Sequence, residues 1–74
     1  MEVEVSLFAT FQEGRFVRQR VSLPAEATAA DLLRRLAIAP DDVGILVINR
    51  RDAPLNQSLS EGDRVTLIPV IGGG

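Results

Sequence analysis

Neither cysteine nor histidine occurs anywhere in these 74 residues, and a chain this short buries only about 60% of the surface its unfolded form exposes. Disulfides and the usual zinc sites are closed to it, so its stability must come from one dense apolar core or from a partner. Apolar residues make up 46% and charged residues 24%, with a net charge of −2, the balance of a single soluble globular domain. Lysine, tyrosine and tryptophan are absent as well. The chain therefore lacks a thiol nucleophile, an imidazole base, a Schiff-base amine and a phenolic acid. Ser6, Ser22, Ser58 and Ser60 have no base of that kind to activate them, and autonomous catalysis is not expected. No metal site is expected either. Basic residues do not exceed acidic ones, and only Phe8, Phe11 and Phe16 are available to stack on bases, so nucleic-acid binding has little support. No apolar run approaches the roughly 18 residues of a membrane span, and Met1-Glu2-Val3-Glu4 lacks the basic start of a signal peptide. The expected location is cytoplasmic.

The pattern of apolar residues predicts strands around one helix. Val3, Val5 and Leu7 alternate with Glu2, Glu4 and Ser6, the period of a half-buried strand. A turn at Gln12-Glu13-Gly14-Arg15 leads to a second strand from Phe16 to Leu23, with Val17, Val21 and Leu23 inward and Arg18, Arg20 and Ser22 outward. Pro24 closes it. Thr28 followed by Asp31 is a helix-start signal, and Ala29, Leu32, Leu33 and Leu36 form an apolar stripe that ends before Pro40. A helix of two to three turns does not persist alone and must pack its leucines on the sheet. Gly44 to Asn49 is a β-branched run expected to be a strand covered on much of both faces. The polar turn Asn49-Arg50-Arg51-Asp52 follows it. Leu55 and Leu59 are expected to plug the end of the core. After the turn at Glu61-Gly62-Asp63, Arg64 to Ile68 forms the last strand, and Pro69 stops it. A hairpin, a helix and a return to the sheet make a two-layer α+β arrangement. Residues 1–70 are assigned to the folded domain and residues 71–74 to a flexible glycine-rich tail.

The chemistry-bearing feature is Ile71-Gly72-Gly73-Gly74. A phosphate-cradling loop needs a helix after its glycines, which these lack. Glycine enters a channel too narrow for any Cβ and leaves a carboxylate unhindered, and three extended residues reach about 10 Å. Composition alone is equally compatible with a frayed terminus.

In the order and spacing of its pieces the sequence resembles the ThiS/MoaD family of sulfur carriers, which are ubiquitin-like β-grasp proteins. The matching pieces are Val5-Ser6-Leu7-Phe8-Ala9-Thr10-Phe11, Leu46-Val47-Ile48-Asn49, Leu59-Ser60-Glu61-Gly62-Asp63-Arg64-Val65 and Leu67-Ile68-Pro69-Val70-Ile71-Gly72-Gly73-Gly74, with Gly73-Gly74 as the family's diglycine. The resemblance implies a mixed sheet of four to five strands with one helix across one face. It also implies that a partner adenylyltransferase related to ubiquitin-activating enzymes uses ATP to adenylate Gly74, and that sulfur then replaces AMP to leave a thiocarboxylate. On this reading the chain binds no cofactor and contributes no catalytic residue. The start Leu7-Phe8-Ala9-Thr10 is similar to the small subunit of molybdopterin synthase, whose large subunit would be a second partner. Here Pro69 is followed by Val70 where that branch commonly has a second proline. Carriers for thiamine thiazole synthesis and ubiquitin-like modifiers or interaction modules are the alternatives.

Two residues interrupt the polar outer faces of their strands: Phe8 after Glu2, Glu4 and Ser6, and Ile68 after Arg64 and Thr66. If the first and last strands are neighbours, Phe8 and Ile68 form, with Pro69 and Val70, an apolar patch at the root of the tail where a partner docks. Arg50-Arg51, Glu2 with Glu4, and Asp41-Asp42 read as solvated charge.

Overall fold

The apolar alternation folds as a five-stranded sheet carrying one helix: β1 (Glu2–Leu7), β2 (Arg18–Ser22), α1 (Ala29–Leu36), β3 (Val43–Ile48), β4 (Arg51–Asp52) and β5 (Arg64–Pro69). The structure is a computed structural model that describes residues 1–70. Strand order is β2-β1-β5-β3-β4. β1 and β5 run parallel at the centre, with Val5 opposite Val65 and Leu7 opposite Leu67. β2 pairs antiparallel with β1, and β3 pairs antiparallel with both β5 and β4. This is the α+β ubiquitin-like β-grasp fold, a mixed sheet with one helix across one face.

Period and burial agree along the two central strands. Val3, Val5 and Leu7 of β1 and Val65 and Leu67 of β5 are buried with Ala29, Leu32 and Leu33 of α1 in one cluster. No polar or charged residue is buried among the described residues, so the core contains no side chain in need of a hydrogen-bond partner. The helix starts with the expected capping box. The Asp31 N–H donates to Thr28 Oγ1 at 3.3 Å, and the Thr28 N–H donates to Asp31 Oδ2 at 2.8 Å. That backbone bond, then the Thr28 hydroxyl bond and the Arg34 charge, hold the Asp31 carboxyl below its ordinary pKa.

Four expectations change. What ends the helix is Ala37 rather than Pro40: it stops at Leu36 because Ala37 turns left-handed (φ 57°) and its N–H bonds back to Arg34 and Leu33. Val17 lies before β2 and is 63% exposed. β2 is an edge strand, and only Val21 and the following Leu23 lie over the core, so the inward face stops short of Val17. β3 is covered on one face only, since a single helix cannot cover both: Leu46 and Ile48 are buried while Ile45 is 45% exposed. The connection between β1 and β2 is also more than a plain turn. It includes a 3₁₀ turn at Ala9–Gln12 whose Phe11 enters the core. Leu59 does plug the core's end, with Leu55 packed beside it.

Candidate functional site

The site is built where β5 leaves the sheet. β1 and β3 flank β5, but pairing with β1 ends at Leu67, so its last residues are held by β3. Pro69 lies opposite Val43, Ile68 lies opposite Ile45, and the pairing register shifts between those two β3 positions. Gly44 occupies the shift. A Cβ there would meet the Pro69 carbonyl oxygen at 2.9 Å and Val70 Cα at 3.0 Å, so the glycine permits a close backbone approach. The Val70 N–H donates to the Asp42 carbonyl at 2.9 Å. These contacts set the position from which the chain continues to the glycines.

Phe8 and Val70 are 48% and 60% exposed, and Ile68, two residues before Val70, is half-buried. The Phe8 N–H donates to the Leu67 carbonyl at 3.2 Å, which brings the end of β1 beside the end of β5. Ile45 extends this apolar end of the sheet across the register from Ile68. Sequence reading missed it because an unbroken apolar run does not show which residues face inward. The signal was Gly44, since a glycine inside a strand marks a bulge or a close approach. Pro69, expected among the contact residues, is buried. Its ring lies on the inward side of β5, alternating with Ile68 as Leu67 does, so it shapes the exit and offers no docking surface. The expectations for Ile71, Gly72, Gly73 and Gly74 lie outside the described residues.

Arg15 stiffens the other side of the exit. Its Nε donates to the Leu36 carbonyl at 2.9 Å, and its two terminal nitrogens donate to the Ala37 carbonyl at 3.0 Å and the Phe11 carbonyl at 3.2 Å. One guanidinium thereby satisfies the open carbonyls at the end of α1 and ties them to the 3₁₀ turn. No local pattern signals this, because an arginine in a turn reads as solvated.

The arrangement supplies positioning rather than chemistry. Among the described residues no group of three or more His, Cys, Asp and Glu side chains is placed to hold a metal ion, and no helix is long and apolar enough to cross a membrane. Residues 5–74 match the ThiS family. The chain belongs to that family. It is a ubiquitin-like sulfur-carrier protein of the ThiS/MoaD type, a carrier rather than a catalyst. No curated protein matches it. Among solved structures, this ThiS-family chain is similar to SAMP1 of Haloferax volcanii, with 27% identity over 100% of both chains and a TM-score of 0.78. It is also similar in fold to a Pyrococcus furiosus protein assigned as molybdopterin converting factor, subunit 1, with 22% identity over 96% of this chain and 99% of that one and a TM-score of 0.79. A third likeness in fold is to a chain from the complex of subunits 1 and 2 of the molybdopterin-converting factor of Helicobacter pylori, with 24% identity over 100% of this chain and 100% of that one and a TM-score of 0.68.

Proposed function

We propose that this carrier serves molybdopterin biosynthesis, with Gly74 as the residue that carries sulfur. A partner adenylyltransferase binds ATP; the Gly74 carboxylate attacks the α-phosphorus, pyrophosphate leaves, and an acyl-adenylate forms. A hydrosulfide-level sulfur then attacks the acyl carbon and AMP departs, leaving a thiocarboxylate. The carrier's role in both steps is to place an unhindered carboxylate in the partner's site. The large subunit of molybdopterin synthase is the partner that consumes the thiocarboxylate, docking on the end of the sheet at Phe8, Ile68 and Val70. The family match running through Gly74 carries this reading. The start Leu7-Phe8-Ala9-Thr10 and the fold shared with molybdopterin-converting subunits support the branch.

Intact mass after incubation with the adenylyltransferase, ATP and a sulfide donor tests it. The expected product has one oxygen replaced by sulfur, and deletion of Gly74 abolishes ATP–pyrophosphate exchange. Unchanged exchange after that deletion overturns the assignment. A second reading, attachment of the tail to another protein, is favoured by the full-length likeness to SAMP1, named small archaeal modifier protein 1. It predicts an adduct with the mass of a second protein and no stable thiocarboxylate.

A further inference from the structure

The segment that joins α1 to β3 is tied at both of its ends. At its start the Ile38 N–H reaches back to the Leu33 carbonyl at 2.9 Å, and the Leu36 and Ala37 carbonyls accept from Arg15 at 2.9 and 3.0 Å. At its finish the 3₁₀ turn Pro40–Asp42 closes with the Asp42 N–H on the Ala39 carbonyl at 3.0 Å, and the Asp42 carbonyl accepts from the Val70 N–H at 2.9 Å. Leu36 to Asp42 thus connect the Arg15 guanidinium to the residue that follows β5. Arg15, Ala37, Asp42 and Val70 line one depression of about 360 Å³.

A second route to β5 runs through the third carbonyl that Arg15 holds. Arg15 donates to Phe11 at 3.2 Å, the Phe11 N–H donates to the Phe8 carbonyl at 3.1 Å, and the Phe8 N–H donates to the Leu67 carbonyl at 3.2 Å. One guanidinium therefore braces both segments that border the end of β5. Arginine suits this place because its planar fork carries five N–H donors in fixed directions, whereas a lysine ammonium is a point charge on a flexible stem. The negative end of the α1 dipole favours a cation here. Among the described residues no carboxylate lies within ion-pair distance of Arg15, so its partners are carbonyl dipoles.

We propose that Arg15 is a positioning residue: by fixing Leu36 to Asp42 it holds the carbonyl that receives the Val70 N–H, and so sets the direction in which the chain leaves the sheet. That this direction matters for adenylation rests on the sulfur-carrier reading above; that Arg15 sets it rests on the hydrogen bonds. Four residues follow Val70, so a change of about 10° in the direction of departure moves the end of an extended chain of that length by about 2 Å. A displacement of that size is enough to spoil the alignment of a reacting group. Arg15 touches neither Phe8, Ile68 and Val70 as a docking surface nor the reacting carboxylate, so its loss falls on the rate after binding and not on binding itself.

The test compares the full-length chain with Arg15→Met, which removes the donors, Arg15→Lys, which keeps the charge without the fork, and Arg35→Met, which removes a charge from the same last turn of α1. Amide hydrogen exchange reads the structural half. In Arg15→Met the Val70 N–H is expected to exchange about tenfold faster relative to the amides of β1, a local opening beyond any general loss of stability. Arg15→Lys should resemble it, and should supply the same measurement if Arg15→Met fails to fold; Arg35→Met should leave Val70 unchanged. ATP–pyrophosphate exchange with the adenylyltransferase from the same organism reads the other half: kcat should fall about fivefold with KM for the carrier unchanged. Val70 protected as well as the β1 amides in both Arg15 variants, full protection restored by lysine, or an unchanged kcat overturns the proposal. Faster Val70 exchange in a chain whose unaltered form is never adenylated leaves the Arg15 tie standing and refutes the carrier reading alone.

Discussion

The two faces of the sheet share strands but not physics. On the helix side, Val3, Val5, Leu7, Val65 and Leu67 are at most 1% exposed and pack beneath α1. On the other side the alternate residues of the same strands run from Glu4 and Arg64 through Ser6 and Thr66 to Phe8 and Ile68. The helix face satisfies one requirement, burial, and tolerates any apolar set of the right volume. The bare face is sorted by position, charge at one end and hydrocarbon at the other, which folding of this chain alone does not require. Burial, and with it stability, therefore resides on one face, and the recognition proposed above would fall on the other.

Adjacent residues Leu67 and Ile68 provide the strongest way to break that division. Leu67→Ala should cost about 2–5 kcal/mol by leaving a cavity under the helix. Ile68→Ala should cost about 1 kcal/mol, because a half-buried side chain gives up less contact. Denaturant midpoints at constant slope measure both, and equal losses would mean that the bare face also stabilises the fold.

Phe8→Asp approaches the comparison from the recognition side. It should weaken binding of the adenylyltransferase or of the large subunit by about 2–4 kcal/mol, as loss of an apolar anchor does, while stability moves by only about 0.5 kcal/mol. Calorimetric titration and thermal melting separate the two. A large drop in melting temperature with intact affinity would place Phe8 in the core.

Much of this division was legible because a strand's period is two and a helix's is not. Val3 to Leu7 and Thr28 with Asp31 took their expected places, whereas the parallel pairing of the first and last strands came only from the resemblance to a known fold, since period does not fix strand order. The interruptions at Phe8 and Ile68 were legible for the same reason, as apolar residues where alternation demanded polar ones. Ile45, Val17 and Pro69 were misplaced because their exposure depends on how far the helix reaches and on the shift at Gly44, neither of which is a local property of the sequence. Arg15 was invisible because its three carbonyl partners come from segments that only the tertiary fold brings together.

Gly44 joins the two faces, since it is where β3 lets the end of β5 pass. Gly44→Ala should cost about 1–3 kcal/mol, because the new methyl meets backbone atoms of Pro69 and Val70 rather than the yielding end of a side chain. Adenylation should slow more than stability alone explains, since the exit of the tail is displaced. A variant with normal melting and normal pyrophosphate exchange would show that the close approach at Gly44 has no part in positioning.

The smallest effect concerns what holds the cover on the helix-covered face. Asp31 closes the capping box of α1, and its carboxyl is held below its ordinary pKa chiefly by the Thr28 backbone bond, then by the Thr28 hydroxyl and Arg34. A carboxyl with a lowered folded pKa binds protons more readily when the chain is unfolded, so its contribution is complete above the ordinary carboxylate value and is lost as pH falls through the lowered one. Stability measured from roughly pH 6 down to pH 2 should therefore decline partly through this residue, and Asp31→Asn should make that decline shallower while lowering stability at neutral pH. The carboxylate is exposed, so salt should reduce the Arg34 share and leave the hydrogen-bonded share. An identical acid profile in the Asn variant would show that the cap does not depend on the charge, and that the leucines of α1 hold the helix on the sheet without it.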